Sequence, residues 1–272
     1  MRTTMLKRLI TTLGILVIGL PALIVGGIPY FLVIAFFVVT AAHEYNQMLE
    51  SIATRPARWL VIVGIVALLV TRNWLPDYAA ITYAVLIFTS MAWHVWQYER
   101  GRDQAAQDFS ITLTGLTYLG WLGAYLLDLR NLPNGAWWVF LAMPAVWLGD
   151  AGAYAIGAAY GKHKMSPRLS PKKSWEGFSA GVFTAMISGA FLAYCYSTWG
   201  PLQVSVGQGA LLGLVLGLLT PLGDFGESMF KRQAHMKDSG NAIPGHGGAF
   251  DRIDSWLWGA PIGYFFILWF IL

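Results

Sequence analysis

Long apolar stretches separated by short clusters of basic residues constrain this chain more than any other feature of its sequence. A helix needs about 20 apolar residues to cross the hydrocarbon core of a membrane. The 272-residue chain is 56% hydrophobic and only 12% charged, whereas a soluble domain carries about a quarter charged residues. The sequence therefore predicts an all-α, polytopic integral membrane protein.

The apolar stretches divide into nine predicted membrane spans. They cover about residues 8–26, 28–47, 58–76, 78–98, 109–127, 136–158, 176–197, 206–223 and 255–272. Glycines and prolines divide the two longest uncharged runs, near Gly26 and near Gly200. Either pair of spans could instead be a re-entrant hairpin, so the count is open by about one pair. The first run is interpreted as a retained helix, because no small-residue cleavage site follows a short apolar core.

The basic residues predict the orientation of these spans. With the N-terminus in the cytoplasm, sixteen lysines and arginines fall in inner segments, and only Arg72 and Arg130 fall in outer ones. Cytoplasmic loops are enriched in Lys and Arg, so we expect a cytoplasmic N-terminus. Both large polar loops, about 159–175 and 224–254, then face the cytoplasm. The net charge of +4 is explained by topology and does not indicate a nucleic-acid partner.

No internal repeat, low-complexity linker or soluble domain boundary divides the chain. We therefore expect one membrane domain over residues 1–272. Within it, residues 1–130 form N-terminal helices without a recognisable motif, and residues 136–272 form the helices and cytoplasmic loops that carry chemistry. The lone Cys195 excludes an intrachain disulfide.

The polar segment from Ser228 to Ser255 contains more chemistry than a connecting loop needs. Carboxylates can hold a divalent cation, and Lys and Arg can hold phosphates. Glycines let backbone amides approach an anion closely. The segment contains Lys231, Arg232, Lys237, Asp238, His246, Gly247, Gly248, Asp251, Arg252 and Asp254. Together these residues indicate phosphate chemistry at a membrane surface.

Three carboxylates in or near this segment have competing interpretations. Asp224 and Glu227 are three residues apart at the predicted end of the eighth span, where two negative charges are unfavourable without a cation. Glu227 could instead pair with Lys231, four residues further on. Asp254 could cap the ninth helix rather than bind a cation.

Two further regions supply candidate residues. Asp150 lies within an apolar span, where a carboxylate indicates function unless it pairs with a structural donor. The sequence from Ser170 to Gly177 places Lys172 and Lys173 beside a proline-stiffened turn, with Ser174 and Glu176 able to cap the next helix. These lysines predict phosphate binding, although topology and anionic lipid headgroups also explain their charge.

Several other classes of site are disfavoured. The sequence contains no GxSxG motif, no Ser/His/Asp order and no Walker motif. The remaining histidines show no metal-ligand spacing, which argues against a zinc site. A covalent hydrolase and a P-loop ATPase are therefore not expected.

The Ser228–Asp254 segment resembles the signature of the phosphatidate cytidylyltransferase (CDP-diacylglycerol synthase) family. The matching residues are Ser228, Lys231–Arg232, Lys237–Asp238, His246–Gly247–Gly248, Asp251–Arg252 and Asp254. The Ser170–Gly177 stretch and the segment around Asp150 are also similar to that family. Ala249 departs from the larger aliphatic residue that is usual there, which affects packing of the turn rather than a charged group.

The resemblance implies the reaction of CTP with phosphatidate to give CDP-diacylglycerol and pyrophosphate, in a homodimer that uses Mg²⁺ and possesses a two-cation site. It implies Asp224, Asp251 and Asp254 as metal ligands. It implies Asp224, Asp251, Lys237, His246 and Arg252 as catalytic residues. The implied substrate-binding residues are Asp150, Ser170, Lys172, Lys173, Ser174, Lys231, Arg232, Gly247 and Gly248. The active site would be a polar cavity open to the cytoplasm, in a bacterial inner membrane among membrane lipids.

Two other functions stay open from the sequence. A metal-dependent cytidylyl- or phosphotransferase acting on an isoprenoid or ether-lipid phosphate would have the same polar residues. A transporter of anionic lipid should place polar groups along a path through the membrane. Here nearly all charges lie at one predicted face, with Asp150 as the main exception.

Overall fold

The computed structural model of the chain describes residues 2–243, 245 and 247–272, with the side chains of residues 2–10 and 12 outside that description. The chain divides into two units. The N-terminal unit comprises Met1–Leu127 and Phe230–Ile253, and the C-terminal unit comprises Asp128–Met229 and Asp254–Leu272. The prediction of a single membrane domain stays a prediction.

Helices dominate the N-terminal unit. They are α1 (Arg2–Val25), α2 (Gly27–Glu50), α3 (Arg58–Trp74), a 3₁₀ turn (Pro76–Tyr78), α4 (Ala79–Glu99), α5 (Ala105–Thr114), a π-helix (Gly115–Trp121), the start of α6 (Tyr125–Asn131), the end of α10 (Pro221–Gln233) and α11 (Phe250–Ile253). Leu60, Leu68, Leu86 and Leu116 form a buried apolar core, against which Trp93 and other aromatic rings pack. Close van der Waals packing of these leucines favours association of these helices.

The C-terminal unit is built on three closely packed helices. Its elements are the rest of α6, α7 (Gly135–Tyr160), strands β1 (Lys164–Ser166) and β2 (Ser170–Ser174), α8 (Trp175–Thr198), α9 (Val206–Leu219), the start of α10 and α12 (Trp256–Phe270). Small residues allow α7, α8 and α9 to approach closely. A Cβ added at Gly213, for example, would overlap the backbone of Ala185, as expected for helices that associate in a membrane.

Five helical segments of the described chain are long and apolar enough to cross a membrane. They are Gly27–Glu50, Pro76–Glu99, Gly135–Tyr160, Trp175–Thr198 and Val206–Gln233. The helices α3 and α12 are also apolar but contain only 17 and 15 residues. The coarse prediction of a mostly helical membrane protein is confirmed, whereas the count of nine spans stays a prediction.

The structure differs from the sequence predictions in three places. The predicted span 109–127 is divided among α5, the π-helix and α6. The predicted span 206–223 contains a helix boundary that hydropathy does not indicate, because α9 stops at Leu219 and α10 begins at Pro221, within the apolar segment Val206–Gln233. A short antiparallel hairpin of β1 and β2, in which Lys164 is opposite Ser174, departs from a purely helical fold.

Candidate active site

Three carboxylates of the C-terminal unit lie close enough to share a cation. Asp224 and Glu227 are on α10, and Asp254 precedes α12. One ligand oxygen from each lies within 4.8 Å of the others. Glu227 is buried, and the two aspartates are half-buried. We call this group, Asp224, Glu227 and Asp254, the carboxylate cluster.

Local backbone structure brings the cluster together. Pro221 is the first residue of α10. The fixed φ angle of proline suits this position. Asp224 therefore lies in the first turn, where the helix dipole favours a negative charge. Gly223 allows α10 to approach the Asp254 backbone, since an added Cβ would lie 2.5 Å from the Asp254 carbonyl oxygen.

This placement corrects one premise of the sequence analysis. Asp224 and Glu227 do not end the eighth span at an unfavourable C-terminus, because a new helix has already begun. The expectation of a bound cation therefore rests on the proximity of three carboxylates and no longer on a helix C-terminus. Like charges at this separation repel one another unless a proton or a cation compensates them.

Lys173 on β2 joins the cluster directly. Its Nζ lies 2.7 Å from Asp224 Oδ2, and it also lies 4.4 Å from the centre of the Phe225 ring. Asp150 on α7 is exposed and interacts electrostatically with both Lys173 and Asp224. The structure thus brings together three residues that the sequence analysis selected from three separate segments.

The remaining candidates on the hairpin have different surroundings. Ser174 is buried at the N-terminus of α8, and its Oγ accepts a hydrogen bond from the Gly177 amide at 3.2 Å. Its predicted capping role is confirmed. Lys172 is exposed on β2, and Ser170 is half-buried at the start of that strand. The predicted substrate contacts of these residues stay predictions.

A second polar group lies in the N-terminal unit around Asp251. Lys231 Nζ donates to Asp251 Oδ1 at 2.6 Å, and both side chains are nearly buried, at 11% and 8% exposure. Asp251 Oδ2 accepts hydrogen bonds from the backbone amides of Ser239 at 3.0 Å and Gly248 at 2.9 Å. The backbone amides of the loop therefore hold the Asp251 carboxylate, and Asp251 in turn orients the Lys231 ammonium.

The other basic candidates of this segment face solvent. Lys237 and Arg252 are exposed, as is Arg232, whose Nη1 donates to the Met236 carbonyl oxygen at 2.9 Å. Gly247 has a φ of +84°, a left-handed conformation that favours glycine. His246, also predicted as catalytic, lies outside the described residues.

Two acidic residues in these groups were not assigned to a site by sequence reasoning. The sequence left Glu227 open between a cation site shared with Asp224 and an ion pair with Lys231, and Glu227 was not among the predicted metal ligands. Glu44 on α2 was not singled out, yet its carboxylate accepts the Ala249 amide at 3.0 Å. Glu44 lies 205 residues from this partner in the chain, so no local motif would identify it.

The donor set of the carboxylate cluster fits Mg²⁺. Magnesium is held by one or two protein carboxylates together with substrate phosphates and water. The cluster supplies oxygen atoms alone, whereas structural zinc sites use Cys and His. The half-buried aspartates leave room for substrate oxygens, as a site open to phosphates requires.

A separate open cavity of about 840 Å³ lies beside the hairpin in the C-terminal unit. Its lining residues are Lys162, His163, Lys164, Trp175, Glu176 and Ser179. The Glu176 carboxylate accepts a hydrogen bond from the His163 ring at 2.6 Å, so these two lining residues are partners of each other. None of these residues belongs to the predicted site.

Comparison with known proteins identifies the class. The sequence model of the cytidylyltransferase family matches residues 6–270. The chain is 32% identical to a phosphatidate cytidylyltransferase of Synechocystis sp. over 96% of both chains. It is 29% identical to one of Staphylococcus aureus over 94% of this chain and 96% of that protein. It is 38% identical to one of Bacillus subtilis over 59% of this chain and 58% of that protein.

The chain belongs to the cytidylyltransferase family. It is therefore a nucleotidyltransferase of the membrane. The family predicted from the Ser228–Asp254 signature is confirmed, and the similarity extends through the N-terminal helices in which no motif was recognised.

Proposed function

We propose that this protein is a phosphatidate cytidylyltransferase that converts CTP and phosphatidate into CDP-diacylglycerol and pyrophosphate. The observation that carries this proposal is the similarity to the Synechocystis protein of that name over 96% of both chains. The carboxylate cluster, with Lys173 beside Asp224, supports a site that handles phosphates.

The reaction requires positioning and charge neutralisation rather than a protein nucleophile. A phosphate oxygen of phosphatidate forms a bond to the α-phosphorus of CTP. The bond from that phosphorus to the oxygen bridging the α- and β-phosphates breaks, and its electron pair leaves with pyrophosphate. Both reactants are anionic, so the protein contributes by aligning them and offsetting their repulsion.

Asp224, Glu227 and Asp254 are the residues that would hold Mg²⁺. When bound, the cation supplies charge neutralisation at phosphate oxygens. A second cation, and Asp251 as a further ligand, follow from the family resemblance and stay predictions. The contacts of Asp251 support another role as well, in which its carboxylate fixes the position of the Lys231 ammonium.

The basic residues would bind the phosphates of the two substrates. The Lys173 ammonium lies beside the cluster, and a phosphate oxygen could replace Asp224 as its partner. Lys172, Arg232, Lys237 and Arg252 are exposed, which supports the proposal that they would meet substrates from solvent. Asp150, Ser170, Ser174, His246, Gly247 and Gly248 complete the proposed site by family resemblance.

The proposed membrane arrangement follows from the distribution of charge. The excess of Lys and Arg in the predicted inner segments supports a cytoplasmic N-terminus and a polar site that opens to the cytoplasm, where CTP is found. The bacterial relatives support a location in a bacterial cell membrane. Nine spans and a homodimer are expected on the sequence pattern and the family resemblance, respectively.

Acceptor competition tests the proposed substrate. Purified protein is given CTP, Mg²⁺ and equal amounts of phosphatidate and an isoprenoid phosphate in mixed micelles. We expect the liponucleotide to contain diacylglycerol almost exclusively. A product formed mainly from the isoprenoid phosphate would replace phosphatidate in the proposal, while leaving the family assignment intact.

A further inference from the structure

Glu44 is a buried carboxylate in an apolar helix. It lies on α2, one of the helices long enough to cross a membrane, and is only 3% exposed. A carboxylate in such a helix is costly and is usually retained for a function. Its contacts indicate what that function is.

Both oxygens of Glu44 bind the loop that leads into α11. Oε1 accepts the Ala249 amide at 3.0 Å, and Oε2 accepts the Phe250 amide at 3.0 Å. The Ser239 hydroxyl lies 3.0 Å from the same Oε2. One side chain of α2 therefore fixes two points of the loop, about ten residues apart in the chain.

The loop is shaped around this carboxylate. A Cβ added at Gly240 would lie 2.5 Å from Glu44 Oε1, and one added at Gly248 would overlap Glu44 Oε2. A side chain at either position would displace the carboxylate. The two glycines thus permit the close approach that the hydrogen bonds require.

Ser239 connects Glu44 to Asp251. The Ser239 Oγ lies 3.0 Å from Asp251 Oδ2 as well as from Glu44. Because a hydroxyl has a single hydrogen, it donates fully to one carboxylate at a time. Ser239 therefore couples the anchor on α2 to the carboxylate that holds Lys231.

Aromatic packing supports the same anchorage. The Tyr45 ring, next to Glu44 in sequence, makes an edge contact with Phe230 at 5.4 Å between ring centres. It also contacts Phe250 at 6.4 Å. These rings bury the two ends of the segment but do not determine the orientation of Asp251, which depends on hydrogen bonds.

We infer that Glu44 is a positioning residue for cytidylyl transfer, which acts through Ser239 and the 248–250 backbone to hold Asp251 and Lys231 in place. The inference rests on the proposed function, because that function gives Asp251 and Lys231 their roles. It gives α2, which lies outside the Ser228–Asp254 signature, a positioning role in the reaction.

Glutamine cannot replace Glu44 in this arrangement. Each carboxylate oxygen accepts a backbone amide, so either orientation of a glutamine amide turns its NH₂ group toward an N–H donor. Aspartate keeps two acceptor oxygens and the charge, although it is one methylene shorter. Glu44→Asp should therefore recover part of what Glu44→Gln loses.

The test compares purified Glu44→Gln, Glu44→Asp and Ser239→Ala with wild type. The matched control is Glu50→Gln, since Glu50 is at the exposed end of the same helix and lies 3.8 Å from Arg58. We expect Glu44→Gln to lower kcat about 10- to 100-fold, as loss of an outer supporting contact typically does. The KM for phosphatidate should change little, Glu44→Asp should be intermediate, and Glu50→Gln should match wild type.

Hydrogen exchange of the same proteins distinguishes positioning from general stability. We expect amides 239–253 to exchange faster in Glu44→Gln, with those of α7 and α8 unchanged. Normal kcat with a lower melting temperature would overturn the inference and leave Glu44 as a structural residue. Unchanged exchange at 239–253 would overturn it as well. If wild type formed no liponucleotide, the proposed function would fail, and the exchange data would still decide the anchorage.

Discussion

At the scale of single residues, the carboxylate cluster and Lys173 are the proposed chemical centre of the C-terminal unit. Three carboxylate oxygens within 4.8 Å of one another repel, and the Lys173 ammonium beside Asp224 offsets part of that repulsion. A divalent cation would bring the group close to neutrality. The cluster should therefore affect both stability and activity through metal binding.

Asp224→Asn tests the cluster without relying on turnover alone. In wild type, Mg²⁺ at 100 times its Kd should add about 2.7 kcal/mol to the free energy of unfolding. The variant should lose most of this gain and all measurable turnover, while it melts no lower than wild type in EDTA. Thermal melts with and without Mg²⁺ measure both effects. Asp77→Asn, an exposed aspartate in a 3₁₀ turn, should behave as wild type. A full Mg²⁺ response in Asp224→Asn would contradict the ligand assignment.

Lys173→Ala tests the phosphate-binding role of the hairpin. Loss of one charged hydrogen bond should raise the KM for a phosphate substrate roughly 10-fold. Initial rates at varied CTP and varied phosphatidate measure which substrate is affected. Lys164→Ala removes an exposed lysine from the paired strand and should leave both KM values unchanged. Unaltered kinetics in Lys173→Ala would contradict phosphate binding and indicate that the Lys173 charge serves only membrane topology.

The sequence identified most residues of these groups but not their partners. Asp224, Asp254 and Lys173 could be found because each belongs to a polar segment that apolar helices do not need. Glu227 was left open between a cation shared with Asp224 and a pair with Lys231, because helical spacing shows only neighbours on the same helix. Glu44 could not be found, since its partners are remote in the chain and hydrogen bonds to backbone amides leave no sequence pattern.

At the scale of elements, the break between α9 and α10 decides where the cluster forms. Pro221 begins a new helix directly after Thr220, so Asp224 lies near a helix start. Gly223 then allows α10 to lie against the chain entering α12. The cluster thus depends on a helix boundary and a close approach as much as on the acidic residues.

Gly223→Ala tests this close approach. The new Cβ would lie 2.5 Å from the Asp254 carbonyl oxygen and 2.7 Å from Trp258 Cδ1. We expect a loss of about 1–3 kcal/mol in the free energy of unfolding, as for other overpacked sites, together with weaker Mg²⁺ dependence. In Gly207→Ala the nearest atom is 3.9 Å away, so this control should be neutral. Equal denaturation midpoints for the two variants would show that the approach is not tight.

The sequence predicted helix bounds well where an uninterrupted apolar run determined the helix. The predicted spans 136–158 and 176–197 correspond to Gly135–Tyr160 and Trp175–Thr198, since uninterrupted apolar runs determine both. The predicted span 109–127 falls on three helical elements instead of one, because hydropathy does not register a π-helix or the turn after it, and as a span it stays a prediction. The hairpin was read as a loop, as its strands contain three and five residues with no alternating apolar pattern.

At the scale of the whole molecule, the proposed function depends on the side of the membrane that carries the polar loops. The basic residues predict that the hairpin lies on the cytoplasmic side and that the segment between α8 and α9 lies outside. This predicted orientation would place the proposed phosphate-binding residues where CTP is available.

Cysteine labelling tests the orientation. In a Cys195→Ser background, Lys164→Cys marks the hairpin and Trp199→Cys marks the exposed residue after α8. A membrane-impermeant maleimide should label Trp199→Cys in intact spheroplasts, and Lys164→Cys only after permeabilisation. The reverse labelling pattern would place the hairpin outside the cell and contradict the proposed topology.

The most direct test of the central claim follows the phosphorus atoms of CTP. Purified protein is incubated with phosphatidate and Mg²⁺, using CTP radiolabelled in either the α- or the γ-phosphate. Cytidylyl transfer predicts that the α-label enters the lipid, the γ-label appears in pyrophosphate, and EDTA abolishes both products. Transfer of the γ-label to the lipid would show phosphotransfer, and label in neither product from folded protein would contradict cytidylyl transfer to phosphatidate.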